Sequence, residues 1–418
     1  MAQITSREEL EAWLKDKPAD WAQVIAARAA LRALPYGLSY HPSLLEVSSF
    51  VQVLFRTVLI SWTASNYPEL VLKDSANRTI TEFLVTERTK YDHNISGTTF
   101  AVATYSAYAA VRAVDAANVG IAVAEAVAAA TDSARVAYSG EREITWTSVA
   151  QDCERIDSEG VQLTASEDLS SKPLWWSRLP EFWTRQWYDV AVQELRSLDE
   201  TYQVWIDWYN RRIEGHDAAF DIPGDIDRVH DKAILARLAD ATDEDFWGKG
   251  ATYVNTTLQR WIDEARTEAR IYEILRQLRG GATAHYGAPE ELAGRAALLD
   301  ELDRLLGKSP QARHGIGGNY PPEPIDAVDP PVALPEDVRE PLELISGELE
   351  KREPDALVVV EQVKLLHRVG RKFEKMAGLA SDEFAKSVGG ELGKWIVQGA
   401  FWLTLINQFL DWLGPLIR

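Results

Sequence analysis

Apolar and polar residues alternate with a helical period along most of the chain. Leu10, Trp13 and Leu14 share one face of a short segment that opens with Ser6-x-x-Glu9, the spacing of a capping box, and ends at Pro18. A second helix is expected from Trp21 to Leu34, with Asp20 as its cap, Pro35 as its stop, and Arg28 and Arg32 on one face. From Ser43 to Trp62 the residues are nearly all apolar, and Arg56 interrupts them. A charge at that depth disfavours a membrane span, so the run predicts a central buried helix whose Arg56 reaches an internal carboxylate or a domain edge.

Residues 98–137 are rich in alanine, the strongest helix former, and predict a closely packed helical hairpin. A tryptophan-rich stretch follows, in which Trp205, Trp208, Tyr209 and Arg212 fall at i, i+3, i+4 and i+7 on one helical stripe that Gly215 terminates. Between Gly280 and Pro341 glycines and prolines flank one short helix, Glu290 to Leu306, and a stiff extended linker. Two mixed-charge helices, Val358 to Gly370 and Lys372 to Lys386, then precede a hinge at Gly389-Gly390 and the most apolar segment, Trp395 to Leu413. The predicted fold is all-α. It divides into an N-terminal body (1–144), a tryptophan-rich section (145–279), a glycine/proline linker (280–341) and a C-terminal tail (342–418).

Composition narrows the function classes. The 418 residues are 46% hydrophobic and 26% charged, as in folded protein, and include 15 tryptophans. The net charge of −20 opposes general nucleic-acid binding. The single cysteine, Cys153, cannot form an internal disulfide or a cysteine-based zinc cluster. The polar start of the chain has no apolar leader, which points to a cytoplasmic protein, with room for peripheral contact with the inner membrane.

Several blocks taken in order resemble a family of mostly alphaproteobacterial, alanine-rich helical proteins to which no activity is attached. They are Ala26-Ala27-Arg28-Ala29-Ala30-Leu31-Arg32, Pro173-Leu174-Trp175, Trp205 to Gly215, Asp245-Phe246-Trp247 with Val254-Asn255, and Gly315-Ile316-Gly317-Gly318-Asn319-Tyr320-Pro321-Pro322-Glu323. The resemblance covers about the first three quarters of the chain, a series of spaced blocks rather than one motif. It implies an all-helical body, a prominent loop and a variable tail. Members of that family carry His where this chain has Gly318.

Four places could carry chemistry or binding. His216-Asp217 and His230-Asp231 have the donor types of a hydrolytic metal site, but they lack helical ligand spacing and equally suit a polar loop with capping aspartates. The Trp205, Trp208, Tyr209, Arg212 stripe could line a ligand or partner groove, or could be core. The loop holding His314, Gly315, Gly317, Asn319, Pro321 and Pro322 lacks the Lys-Ser/Thr of a phosphate cradle and suits a docked recognition segment. No nucleophile elbow or dinucleotide fingerprint appears, and no cofactor is expected.

The tail segment is the strongest signal. Trp395, Phe401, Trp402, Leu405, Phe409 and Trp412 belong to an apolar arc broken only by Thr404, Asn407, Gln408 and Asp411, an arc wider than one packing neighbour covers. Its possible homes are the core of its own domain, copies of itself, or a membrane surface, the last helped by the basic residues Arg368, Arg371, Lys372, Lys375, Lys386 and Lys394 upstream. The expectation is a non-enzymatic interaction protein whose tail docks on membrane or on other copies through residues 395–413. The alternatives are a membrane-perturbing effector, such as one used in bacterial defence, and a metal-dependent hydrolase built on His216 to Asp231.

Overall fold

The structure, a computed structural model, describes residues 4–39, 48–67, 70, 124, 127–128, 142–159, 169, 172–176, 179–223, 227–242, 244–306, 334–379 and 399–417. The alanine-rich segment apart from Ala124, Val127 and Ala128, the loop with His314, Gly315, Gly317, Asn319, Pro321 and Pro322, the Gly389-Gly390 hinge and Trp395 lie outside the described residues, as does the side chain of Phe401.

The described chain is all-α, without a strand. Its helices are α1 (Arg7–Leu14), α2 (Ala19–Ser39), α3 (Ser48–Asn66), α4 (Arg142–Glu159), α5 (Glu181–Thr184), α6 (Val192–Leu198), α7 (Gln203–Glu214), α8 (Asp227–Asp240), α9 (Ala251–Arg279), α10 (Pro289–Leu306), α11 (Glu336–Leu349), α12 (Ala356–Leu379) and α13 (Gly399–Leu413). A π-helical stretch, Arg185–Ala191, joins α5 to α6. The chain divides into two compact units: Met1–Ile222 with Asp227–Ile262, and Pro223–Ile226 with Asp263–Arg418.

In the first unit α2 packs along α3. Nearly every side chain of α3 from Val51 to Ser65 is buried, so the long apolar run is the central helix its sequence predicts. Arg56, also buried, lies 4.6 Å from the centroid of the Trp247 ring. Ser6 caps α1 by accepting from the Glu9 N–H (3.3 Å), while the Glu9 carboxylate turns to the Thr5 N–H (2.6 Å). Leu10, Leu14, Val24 and Ile25 close on Trp146, Val149 and Ile156 of α4.

The expected stop at Pro35 is not a stop: α2 continues to Ser39. A proline inside a helix removes one N–H and strands the carbonyl four residues earlier, here that of Leu31. The Tyr209 hydroxyl donates to the Leu31 carbonyl and fills that vacancy. The next carbonyl, that of Arg32, accepts from the Trp183 indole at 3.2 Å. The Tyr209 hydroxyl thus replaces what the proline took away. These contacts place residues from both of the first two predicted sections in a single unit.

Gly215 ends α7 in the left-handed conformation, φ 77°, as its position implied. A Cβ there would stand 2.2 Å from the Pro173 nitrogen, so only glycine lets the 172–174 segment lie against the end of α7.

The second unit has an aliphatic core. Ile271, Ile274 and Leu275 of α9, Leu298 and Leu302 of α10, Leu342 and Ile345 of α11, and Val359, Val363 and Leu366 of α12 enclose α13. α12 is one continuous helix through Gly370, where two were expected. A helix interior tolerates a glycine at about 1 kcal/mol, and a Cβ at Gly370 would meet the Trp402 Cβ at 3.8 Å, an ordinary contact, so the packing there does not demand glycine.

Candidate functional site

The first place to look is the aromatic stripe of α7. Trp205, Trp208, Tyr209 and Arg212 are all buried. Phe55 stacks on Trp205 (5.2 Å), Trp62 meets Trp208 edge-on (6.4 Å), and Trp187 packs against Tyr209 (4.3 Å). The Trp205 indole donates to Asn255 (2.7 Å) and Trp187 to Asn210 (2.8 Å). An open groove is therefore the wrong reading: α3 and the π-helical stretch cover the stripe, which is core. Sequence reasoning missed the π-helical stretch, whose extra residue per turn carries no periodic signal.

Beside it stands a buried charge cluster. Arg28 and Arg32, one turn apart on α2, converge on Asp152 of α4 with contacts of 3.1 and 2.6 Å. Arg28 also donates to the carbonyls of Leu169 (3.0 Å), Lys172 (3.1 Å), Pro173 (2.8 Å) and Leu174 (3.2 Å). Arg32 reaches Leu174 (2.7 Å), and the Trp176 indole donates to Asp152 (2.7 Å). Burial works to raise the Asp152 carboxyl, but the two guanidiniums outweigh it and hold the group below the usual carboxylate range. Burial pulls Arg28 down. The Cys153 thiol is pushed up by burial and by the Asp152 charge, so it is not a nucleophile in this setting. The blocks around Arg28, Pro173 and Gly215 thus meet in space and act as a clamp that fixes an irregular segment.

The polar loop before α8 is organised by one carboxylate. Asp231, buried, accepts from the N–H groups of Ala219 and Phe220, the latter at 3.0 Å. Burial pushes its carboxyl up to about 7, against the pull of those two N–H groups and Arg212. Arg212 is drawn down to about 9 by burial, donates to the Ala218 carbonyl and lies 4.2 Å from the centre of the Trp62 ring. His216 points the other way: it is exposed and pairs with Glu214 at 2.9 Å. Asp217 and His230 join no ligand cluster, and among the described residues no group of three His, Cys, Asp or Glu is placed to hold a metal. Asp231 serves as a loop cap, the structural one of the two roles its sequence allowed.

In the second unit the tail helix is sheathed. Trp402, Leu405, Phe409 and Trp412 are buried, as are Ile406, Leu410 and Leu413. The polar stripe does not face water alone. Thr267 of α9 donates to Asn407 (3.3 Å) and Arg270 reaches Asp411 (2.6 Å). With α12 and α10 on its other sides, α13 has more neighbours than its arc suggested, and the described positions leave no broad apolar face open. The His285 N–H donates to the Leu416 carbonyl (2.9 Å), which pins the end of the chain. No described helix is long and apolar enough to cross a membrane.

What the unit does open is a cleft between α10 and α13, of about 740 Å³. Leu298, Trp412 and Leu416 form its apolar floor; Glu290, Glu301, Gln408 and Asp411 stand around it. Ala288, Gly294 and Ala297 supply little bulk on the α10 side, and a Cβ on Gly294 would come within 3.0 Å of the Trp412 ring. The chain matches no family, no curated protein and no solved structure. The cleft is thus read from its own chemistry. Its sequence signal was faint: small residues and carboxylates at helical spacing on α10, which reads equally well as a solvated face.

Proposed function

We propose that the protein works by binding a partner rather than by catalysis, and that the partner sits in the cleft between α10 and α13. The observation that carries this reading is the combination in one cleft of a buried tryptophan floor and a polar rim. Unit 1 supports it from the other side. Its groups with displaced protonation are committed to the fold: Asp152 to two arginines, Asp231 to two backbone N–H groups, Arg212 to a carbonyl and a ring. Such a body presents a rigid frame rather than a reactive centre.

Docking of the tail on a membrane or on other copies, the expectation from its sequence, would require α13 to leave its unit. Exposing each large side chain would cost about 1.5–3 kcal/mol. The cleft reading needs no such release. It is tested by screening the full-length protein against a peptide and small-molecule library, with Ala297→Trp as the filled-cleft control. Hits that vanish in Ala297→Trp are expected. Hits that persist unchanged, or binding only to liposomes, would remove the cleft from its role.

A further inference from the structure

The cleft runs lengthwise along α10. Its lining positions there, Glu290, Glu291, Gly294, Ala297, Leu298 and Glu301, recur at three- and four-residue steps. At 1.5 Å per residue that stripe is roughly 17 Å long, the length of a helix of about three turns. Gly294 makes room for the Trp412 ring, Ala297 adds little bulk beside it, and Leu298 with Trp412 offers an apolar floor.

The charges in the lining are of one sign. Glu290, Glu301 and Asp411 contribute carboxylates, and no lysine or arginine lines the cleft; the carboxylate of Glu291, also in the lining, is buried and paired with Arg295 (3.0 Å). Arg304 pairs with Glu301 (2.5 Å) and Arg270 with Asp411 (2.6 Å) from outside it. The Arg270–Asp411 pair is a single exposed contact and yields to an incoming cation, whereas Arg304 holds the partly buried Glu301 through two nitrogens, so Glu290 and Asp411 are the carboxylates an incoming cation meets first. Glu290 is exposed and has no ionic partner among the described residues. The chain as a whole carries −20, a field that draws basic partners in.

Resting on the binding role proposed above, we infer that the occupant is a basic amphipathic helix of a partner protein. Its apolar residues, at i, i+3, i+4 and i+7, lie over Leu298 and Trp412, and its lysines or arginines meet Glu290, Glu301 and Asp411.

The probe is a synthetic helical peptide of about 14 residues with leucines on one face and lysines on the other, titrated into full-length protein by fluorescence anisotropy. A glutamate version of the same peptide is the control. The lysine peptide is expected to bind, and the glutamate peptide not. Glu290→Lys with Glu301→Lys, its fold checked by circular dichroism, should weaken the lysine peptide about tenfold or more and admit the glutamate peptide. Ala297→Trp should exclude both. If both peptides bind regardless of sign and Ala297→Trp stops them, the cleft keeps its binding role and the cationic partner is overturned. If neither binds, or if the lysine peptide binds all variants alike or only when anionic vesicles are present, the docking proposal fails altogether.

Discussion

In the first unit Arg28, Arg32 and Arg212 are enclosed among tryptophans with Asp152 and Asp231, whereas the side chains enclosed around α13 in the second are mostly aliphatic, with Arg270–Asp411, Arg279–Glu361 and Arg304–Glu301 paired at the surface. The difference lies in what specifies each packing. Buried ions call for directional partners, and those of Arg28, Arg32 and Asp152 and of Asp231 with the Ala219 and Phe220 N–H groups let unit 1 hold irregular chain such as 172–176 and the loop at 218–220 in one place. Aliphatic surface is indifferent to direction, and the core around α13 relies mainly on area and shape, although unit 2 keeps one buried pair of its own, Glu291 with Arg295 (3.0 Å), whose guanidinium also donates to the Lys351 carbonyl (2.7 Å).

The contrast can be broken by mutation. Asp152→Ala leaves two buried guanidiniums without their carboxylate and should cost unit 1 about 3–5 kcal/mol, read by denaturant unfolding. Phe409→Ala should cost unit 2 a similar 3–5 kcal/mol through a cavity, but with no dependence on pH between neutral and mildly acid solution. A loss in Asp152→Ala no greater than that of an exposed pair would show that the clamp does not hold the unit.

Tyr209→Phe should cost about 1–3 kcal/mol, because the Leu31 carbonyl is buried and Pro35 cannot serve it. In a Pro35→Ala background residue 35 regains its N–H, and the cost of Tyr209→Phe should shrink. Equal costs in both backgrounds would separate the tyrosine from the proline.

The smallest effect concerns pH, and its sign differs between the two buried aspartates. Asp152, held low, contributes stability that is present above the unfolded carboxyl value and lost as pH falls through its folded value. Asp231, pushed up to about 7, contributes stability that is full below the unfolded value and lost as pH rises through about 7. Unfolding followed between about pH 4 and 7 should show a downward drift with rising pH that Asp231→Asn removes. An unchanged drift in that variant would assign it to other groups.

The legible part of the molecule was the part governed by local rules. Helical period identified the all-α class and the burial of α3, the Ser6 cap opened α1, and Gly215 closed α7. What escaped depends on residues far apart in the chain. The carbonyl that Pro35 strands inside α2, that of Leu31, finds its donor in Tyr209, far away in the chain. The α7 stripe becomes core because α3 and Trp187 lie over it, and no spacing within α7 distinguishes that from a groove. The tail arc was measured correctly as wide, but the number of helices around it is a tertiary fact. The cleft was hidden for the same reason, since its two walls are about a hundred residues apart in sequence.

The central claim, that the oily tail helix is an internal part of its own unit, is tested most directly by native-state hydrogen exchange on the intact protein. The amides of 402–413 should be protected as strongly as those of 359–366 in α12, with no change when anionic vesicles are added. Exchange of the 402–413 amides as fast as in unstructured chain, or protection gained only with vesicles, would contradict it.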